Sequence, residues 1–255
     1  MLLAIDAGNT NVKLGVYRGR ELLTKWRLAH AELGPEHDSA TRMRDLFDRS
    51  GIDVKEVDAI IIASVVPQMN DTLRRLLERD FRLTPNFIDH TTNTGLKLLY
   101  DDPSELGADR IAGAVAAVEK CGTPCIVVDF GTATTFNAIS AAREFAGGII
   151  APGIMTAAEA LFSRAAKLPR VAIERPKKFI GTSTAEALQS GLFYGYASLV
   201  DGLIRGMMLK VQDPLAATVV ATGGLAHLMQ NASEYIHDVD PNLTLDGLRI
   251  IHDRA

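Results

Sequence analysis

Two short turns in the sequence combine residue types that bind phosphate groups and metal ions. The first spans residues 6–10 (DAGNT) and the second spans residues 129–132 (DFGT). In each turn an aspartate ends an apolar run, a glycine follows two residues later, and a threonine comes soon after. Because glycine lacks a Cβ atom, a ligand can approach the backbone there, and carboxylate oxygens suit Mg²⁺. We expect the two turns to form two sides of a nucleotide site.

The first turn continues as a cluster of short polar side chains that ends in Lys13. Hydroxyl, amide and ammonium groups can all donate hydrogen bonds to phosphate oxygens. The segment is not a Walker P-loop, because that motif ends in GK[ST] at the start of a helix, whereas a strand is predicted here. Glycine, asparagine and aspartate also favour ordinary hairpin turns, so only the echo at residue 129 favours a nucleotide site.

A carboxylate and a guanidinium group stand side by side at the start of a predicted helix. They belong to Asp109 and Arg110, which follow Gly107. An aspartate at this position commonly caps a helix or complements its dipole, so a structural role would account for Asp109. The neighbouring arginine could pair with the carboxylate of an anionic substrate. Local chemistry leaves both interpretations open.

A long helix is predicted over residues 184–210, and its start has the pattern of a capping box. Ser183 would be the N-cap and Glu186 the acidic residue three positions on, which favours a structural role. Farther along, glycines at positions 191, 195, 202 and 206 fall mostly on one helical face. Each costs about 1 kcal/mol relative to alanine, so this face predicts close packing against another helix, within the fold or across a dimer axis.

A third glycine-containing turn, Gly223-Gly224, joins a predicted strand over residues 218–221 to a helix. A flat base or ribose could lie against such a backbone. A glycine pair is also a common strand-to-helix turn, so this signal is weak unless the turn belongs to a nucleotide site.

The elements that would position these groups repeat along the 255-residue chain. Each half opens with a predicted meander, over residues 2–28 and 125–150, and continues in α/β units. We predict an α/β fold of two duplicated domains, 1–121 and 122–255, each a mixed five-stranded sheet flanked by helices. The helix-breaking segment 121–124 marks the boundary, and residues 248–251 are predicted as a last strand.

Composition excludes several classes of function. The 27 basic and 31 acidic residues give a net charge of −4, so nothing favours nucleic acid or an anionic membrane as a partner. No run of about 18 apolar residues could span a bilayer, and no signal peptide is apparent, so we expect a cytoplasmic protein. Cys121 and Cys125 are predicted to be reduced thiols, because further zinc ligands at suitable spacing are missing.

Taken together, five motifs resemble those of type III pantothenate kinase, in the family's order from residue 6 to residue 224. They are Asp6-x-Gly-Asn-Thr, Gly107-x-Asp-Arg, Asp129-Phe-Gly-Thr-Ala-Thr-Thr, Gly147-Gly-x-Ile-x-Pro-Gly and Thr222-Gly-Gly. The combination is far more specific than any one motif. The resemblance implies the fold of the acetate and sugar kinase, Hsp70 and actin superfamily, with two ribonuclease H-like domains and the nucleotide cleft between them.

The resemblance also implies a reaction, an ATP-dependent transfer of the γ-phosphoryl group to the hydroxyl of pantothenate. This transferase reaction is the first step of coenzyme A biosynthesis, and the product is 4'-phosphopantothenate. Members of the family resemble one another in forming homodimers whose substrate site is completed across the interface.

The residue roles that follow are those the resemblance implies. ATP would be bound by Asp6, Ala7, Gly8, Asn9, Thr10, Asn11, Val12, Lys13, Thr132 and, at the adenosine end, Gly223. Pantothenate would be bound by Tyr100, Gly107, Ala108, Asp109, Arg110 and Thr184. Asp109 would be the general base, Asp129 would bind a monovalent cation such as K⁺ or NH₄⁺, and Asp6 would hold Mg²⁺ directly or through water.

Two alternatives stay open at the level of sequence. The chain could be a superfamily kinase for another small substrate, or a non-catalytic, nucleotide-binding accessory factor. The intact Asp109 argues against the accessory factor, since a binding module needs no base at that position.

Overall fold

The computed structural model describes residues 1–29, 36–165, 167–209 and 217–255, which divide into two compact units. Unit 1 comprises Met1–Leu96, Tyr100–Ala116 and Leu243–Ala255, and unit 2 comprises Lys97–Leu99 and Ala117–Asn242. The predicted domains 1–121 and 122–255 differ from these units in three respects. The C-terminal segment belongs to unit 1, and residues 97–99 and 117–121 belong to unit 2.

The described part of the chain contains eleven strands and seven helices longer than a single 3₁₀ turn. The strands are β1 Leu2–Ala7, β2 Asn11–Arg18, β3 Glu21–Ala29, β4 Ala59–Ser64, β5 Asn86–Phe87, β6 Lys97–Leu98, β7 Cys125–Phe130, β8 Ala133–Ile139, β9 Glu144–Pro152, β10 Thr218–Gly223 and β11 Asp238–Val239. The helices are α1 Glu36–Arg49, α2 Pro67–Phe81, α3 Ala108–Cys121, α4 Ile154–Arg164, α5 Thr184–Met208, α6 Ala226–Gln230 and α7 Leu243–His252.

Unit 1 is built on a five-stranded sheet in the order β3-β2-β1-β4-β5. The first three strands form the predicted antiparallel meander, and β4 and β5 add parallel strands at its other side. Central strand β1 is buried along its whole length, as its apolar sequence predicts. Leu3 and Ile5 pack in one hydrophobic cluster with α1 and α2, while Leu2 and Ala4 pack in another with α3 and α7.

Unit 2 repeats this plan, with a six-stranded sheet in the order β11-β10-β7-β8-β9-β6. Strand β7 pairs antiparallel with β8 and parallel with β10, as β1 pairs with β2 and β4. The duplication is confirmed, but the prediction of five strands for this sheet is wrong. The sixth strand is β6, whose two residues pair with β9 and are too few to show a strand period.

The C-terminal strand predicted over residues 248–251 is also wrong, because these residues belong to α7. Leu245, Leu248 and Ile251 are buried at helical spacing against the unit 1 sheet. The four-residue apolar run could not distinguish a short strand from one face of a helix. Among the helices that the structure describes, none is long and apolar enough to cross a membrane.

Replacing either of two helical glycines in unit 1 with alanine should change the stability of the protein in opposite directions. A Cβ atom on Gly247 of α7 would lie 1.9 Å from the carbonyl oxygen of Ala112 in α3, whereas one on Gly113 would meet nothing within 4 Å. Gly247→Ala should therefore lower the free energy of unfolding by about 1–3 kcal/mol, because backbone cannot rotate away. Gly113→Ala should be neutral or raise it by up to about 1 kcal/mol.

Urea unfolding of the two variants beside the wild type measures these differences. Equal effects of the two alanines would contradict the close packing of α7 on α3.

Candidate active site

The aspartate of the first turn is buried and carries an ion pair. Asp6 is 6% exposed at the end of β1, and its carboxylate lies 3.1 Å from the Nζ atom of Lys13. The pairing of β1 with β2 places the two residues directly opposite each other, so both side chains project from the same face of the sheet. The turn thus presents a desolvated carboxylate and a partly exposed ammonium group together.

Between these strands, residues 8–11 form a tight connection. The backbone N–H of Gly8 donates to the carbonyl of Asn11 at 3.0 Å, and Asn9 and Thr10 are exposed at the tip. A Cβ atom at Gly8 would lie 3.0 Å from that same carbonyl oxygen. The short polar side chains predicted to contact phosphates therefore project from a turn held by its own backbone.

A residue that sequence reasoning missed, Val65, connects this turn to the Asp109 segment. Its backbone N–H donates to the carbonyl of Ala7 at 3.1 Å. Its Cγ1 atom lies 3.4 Å from the position that a Cβ atom on Gly107 would take. Val65 follows β4, which pairs in parallel with β1, so the two strands end at the same edge of the sheet. The sequence holds no signal for this contact, because it depends on the pairing of β1 with β4.

The carboxylate of Asp109 lies in the first turn of α3, as predicted. Its Oδ1 atom accepts a hydrogen bond from the backbone N–H of Arg110 at 2.7 Å, and a Cβ atom on Gly107 would lie only 2.7 Å from it. The preceding glycine thus leaves room for the carboxylate. Asp109 is half-buried.

The guanidinium group of Arg110 is oriented by Tyr100. Its Nη1 atom donates to the Tyr100 hydroxyl oxygen at 3.0 Å, and its Cζ atom lies 5.6 Å from the centre of the Tyr100 ring. Both side chains are half-buried. A hydrogen bond and a cation–π contact together restrict the planar group, which can bind a carboxylate through two parallel hydrogen bonds.

In unit 2 the second predicted aspartate lies against the third glycine turn. Strands β7 and β10 pair in parallel, with Asp129 opposite Thr222. A Cβ atom on Gly223 would lie 2.5 Å from Asp129 Oδ1 and 2.5 Å from the carbonyl oxygen of Phe130. Gly223 also has φ +93°, which disfavours other residue types. The structure thus brings Asp129 and Gly223 together, and two oxygens lie around a space that a side chain would fill.

The threonine of the second turn is held by its backbone. The carbonyl oxygen of Thr132 accepts from the backbone N–H of Gly153 at 3.1 Å and from the Thr156 hydroxyl at 2.7 Å. A Cβ atom on Gly153 would lie 2.3 Å from that oxygen. Glycine at position 153 therefore has a structural reason, since the turn and the start of α4 lie in backbone contact.

The predicted cap of α5 is observed, in a slightly different form. Ser183 Oγ accepts from the backbone N–H of Glu186 at 3.2 Å, while the Glu186 carboxylate accepts from the backbone and hydroxyl of Thr182 instead of from Ser183. These hydrogen bonds from Thr182 lower the pKa of Glu186 below its usual value. Thr184 is exposed in the first turn of this helix.

The glycine face of α5, defined by Gly191, Gly195, Gly202 and Gly206, meets no neighbour within the described residues. A Cβ atom on any of the four would find no described atom within 4 Å beyond the local backbone of the helix. Thr184 lies at helical spacing on the same face, seven residues before Gly191. The alternative of packing against another helix inside the fold therefore finds no support in the described part of the chain.

Metal ligation by side chains alone has little basis here. Within residues 1–29, 36–165, 167–209 and 217–255, no group of three or more His, Cys, Asp or Glu side chains could hold a metal ion.

Burial raises the pKa of Cys121, and burial followed by the nearby Cys121 raises the pKa of Cys125 to about 12. Both thiols therefore stay protonated near neutral pH, as the prediction of free, reduced cysteines requires.

The donor groups do fit ions that share their coordination with a nucleotide. Mg²⁺ typically takes one or two protein carboxylates and completes its shell with phosphate oxygens and water, which suits the buried Asp6 carboxylate. A weakly hydrated monovalent cation takes carboxylate and carbonyl oxygens, which Asp129 and Phe130 present around Gly223.

Comparison with protein families gives a match over most of the chain. The family described as type III pantothenate kinase matches residues 2–206. A type III pantothenate kinase of Halalkalibacterium halodurans is 49% identical over 252 residues, which cover 99% of this chain and 98% of that protein. Those of Koribacter versatilis and Myxococcus xanthus are each 48% identical, over 100% of this chain and 96% and 98% of theirs.

Solved structures agree on the fold. A Baf family transcriptional activator from Campylobacter jejuni aligns with a TM-score of 0.61 at 20% identity, covering 99% of this chain and 98% of that one. An activator of 2-hydroxyisocaproyl-CoA dehydratase from Clostridium difficile aligns with a TM-score of 0.58 at 10% identity, covering 99% and 94%. These similarities confirm the predicted α/β fold, in which two sheets are flanked by helices.

Proposed function

Because the chain belongs to the type III pantothenate kinase family and phosphorylates pantothenate with ATP, we propose that Asp109 is the general base of this reaction. The family match and the full-length relatives at 46–49% identity establish the enzyme class and its place in coenzyme A biosynthesis. They also decide against the two alternatives, a kinase for another small substrate and an accessory factor without activity. The residue roles below are proposals.

The observation that carries the proposal is the arrangement of Asp109 beside a pre-oriented guanidinium group. Arg110 is fixed by Tyr100 and can bind the pantothenate carboxylate, while the Asp109 carboxylate is fixed at the start of α3. If Arg110 binds the carboxylate of pantothenate, the hydroxyl at the other end of the substrate would be available to Asp109. Pre-orientation of this kind lowers the entropic cost of reaching the reactive geometry.

Proton transfer makes modest demands on the base. The transition state of phosphoryl transfer is loose, so the attacking hydroxyl loses its proton late, and a positioned carboxylate is sufficient. Asp109 would accept the proton of the pantothenate hydroxyl as the bond to the γ-phosphorus forms and the bond to the ADP oxygen breaks. Gly107, Ala108 and Thr184 are also proposed to contact pantothenate.

The first turn is proposed to hold the phosphates of ATP. Asn9 and Thr10 lie at an exposed tip, and the Lys13 side chain, which is ion-paired with Asp6, is 28% exposed. Residues 6–13 would therefore offer both backbone and cationic contacts. Thr132 is proposed to contact phosphate from the second turn, and Gly223 to lie at the adenosine end.

Two ions are proposed to assist binding. Asp6 would hold Mg²⁺, directly or through water, and Asp129 would hold K⁺ or NH₄⁺ together with the carbonyl of Phe130. When bound, these cations neutralise charge on the phosphates. The chain's own contribution is to present two carboxylates whose positions are fixed by Lys13 and by Gly223.

We also propose that the protein is a homodimer in which the glycine face of α5 contacts a second copy. Four helical glycines at a cost of about 1 kcal/mol each require a compensating contact, and no described atom within the chain supplies one. Leu209, which continues this face, is 74% exposed. Because Thr184 shares the face, the interface would lie beside a proposed substrate contact.

Absence of nucleic acid partners and a cytoplasmic location stay predictions.

A coupled ADP-release assay tests the substrate. Purified protein should release ADP with pantothenate and not with a panel of sugars and small polyols. Release with a sugar and none with pantothenate would instead support another superfamily kinase.

For the base, Asp109→Asn should lower kcat by at least about 100-fold, because the amide cannot accept the proton. The matched control is Asp71→Asn, an exposed carboxylate on α2 that should leave kcat unchanged. Thermal unfolding checks that both variants fold. Wild-type kcat in folded Asp109→Asn protein would rule out this base.

For the cation, activity with K⁺ or NH₄⁺ should exceed activity with Na⁺ at equal ionic strength, and Asp129→Asn should abolish the difference. The expected reason is that the larger ions are less strongly hydrated and exchange water for protein oxygens at lower cost. Equal rates with the three ions would remove this role from Asp129.

For the dimer, Gly195→Leu should convert the protein to a monomer in size-exclusion chromatography with light scattering, because the side chain would separate the two helices. Glu78→Leu on the exposed face of α2 adds the same side chain elsewhere and should leave the dimer intact. A wild-type monomer, or a persistent Gly195→Leu dimer, would contradict the interface.

A further inference from the structure

The carbonyl of Thr132 accepts a hydrogen bond from the side chain of Thr156, a residue that is not among the predicted site residues. The Thr156 hydroxyl, in the first turn of α4, donates to this carbonyl at 2.7 Å, and the Gly153 N–H donates to it at 3.1 Å. We propose that Thr156 is a positioning residue of the kinase reaction, which holds the Thr132 turn in the orientation that binds the ATP phosphates. This inference rests on the proposed role of Thr132.

The turn that Thr156 contacts is short and exposed. Strands β7 and β8 are joined through Gly131 and Thr132, both of which are exposed. Gly131 N–H donates to the Ala133 carbonyl at 3.1 Å, which closes the turn but does not define how it faces. Because a peptide group is planar, hydrogen bonds to the Thr132 carbonyl also set the direction of the next N–H group.

The first turns of α4, which carry Thr156, pack against the core of unit 2. Ile154 and Ala158 bury the inner face of α4, at 2% and 0% exposure. From the other side, the Tyr196 hydroxyl donates weakly to the carbonyls of Pro152 and Gly153, at 3.3 and 3.4 Å. The start of α4 is thus attached to the core and to α5, and Thr156 extends from it to the turn.

Packing does not explain the threonine at position 156. The residue is exposed, and its hydroxyl bonds outside its own helix instead of to an α4 carbonyl. An exposed side chain that only stabilised α4 could be replaced with little effect on ligand binding. The hydrogen bond to Thr132 therefore predicts a specific effect on the nucleotide.

The test compares Thr156→Val with Thr156→Ser. Valine keeps the shape and removes the donor, so we expect about a three- to ten-fold rise in KM for ATP, with KM for pantothenate within about two-fold of wild type. Calorimetric titration with a non-hydrolysable ATP analogue should show the same loss in Kd. Serine restores the donor and should restore both values.

The matched control is Thr123→Val at the opposite end of the same hairpin, where a threonine hydroxyl donates to the carbonyl of Ala141 at 3.1 Å. It should change neither KM nor Kd. If Thr156→Val does not fold, as judged by circular dichroism, Thr156→Ala takes its place.

Wild-type nucleotide affinity in the folded Val or Ala variant would overturn the inference, as would failure of serine to restore it. Failure of the proposed function would look different. In that case the wild type would not release ADP with pantothenate, whereas the analogue titration would still report on Thr156.

Discussion

Contacts between glycine and neighbouring oxygens, too close for any side chain, set the geometry on which the site depends. At Gly153 and Gly223 a Cβ atom would lie 2.3–2.5 Å from an oxygen of the Thr132 turn or of Asp129. At Gly107 it would lie 2.7 Å from the Asp109 carboxylate. At Gly153 and Gly223 the blocking atoms include backbone, which cannot rotate away, so these two positions require glycine. At Gly107 the blocking atom belongs to the Asp109 side chain, so a larger residue would displace that carboxylate. In three separate motifs a glycine therefore leaves space beside an oxygen of a proposed site residue.

The charged groups of the proposed site are oriented by neighbouring side chains. Lys13 lies over the buried Asp6, and Tyr100 restricts Arg110 through its hydroxyl and its ring. A buried carboxylate without its partner would be costly, so Asp6 and Lys13 depend on each other. In the proposed site the same pairing would hold the Lys13 ammonium group in place for an anionic nucleotide. The two turns thus place their aspartates in different surroundings. Asp6 is paired with the Lys13 ammonium group, and Asp129 lies against the backbone of Gly223.

Much of the fold could be predicted because its signals are local. The buried runs at β1 and β7, the glycine and proline punctuation, and the cap at Ser183 each lie within a few residues of sequence. Parts that depend on distant contacts could not be predicted. The two residues of β6 become a strand only by pairing with β9, and residues 248–251 become helical through packing on α3. For the same reason Val65 and Thr156 were missed, since each acts through residues far along the chain.

A crystal structure with Mg²⁺, a non-hydrolysable ATP analogue and pantothenate would show most directly where the substrates lie. We expect phosphate oxygens against residues 6–13 and Thr132, the pantothenate carboxylate on Arg110, and its hydroxyl within hydrogen-bonding distance of Asp109. A pantothenate whose hydroxyl lies beside a different carboxylate, with Asp109 out of reach, would contradict this expectation.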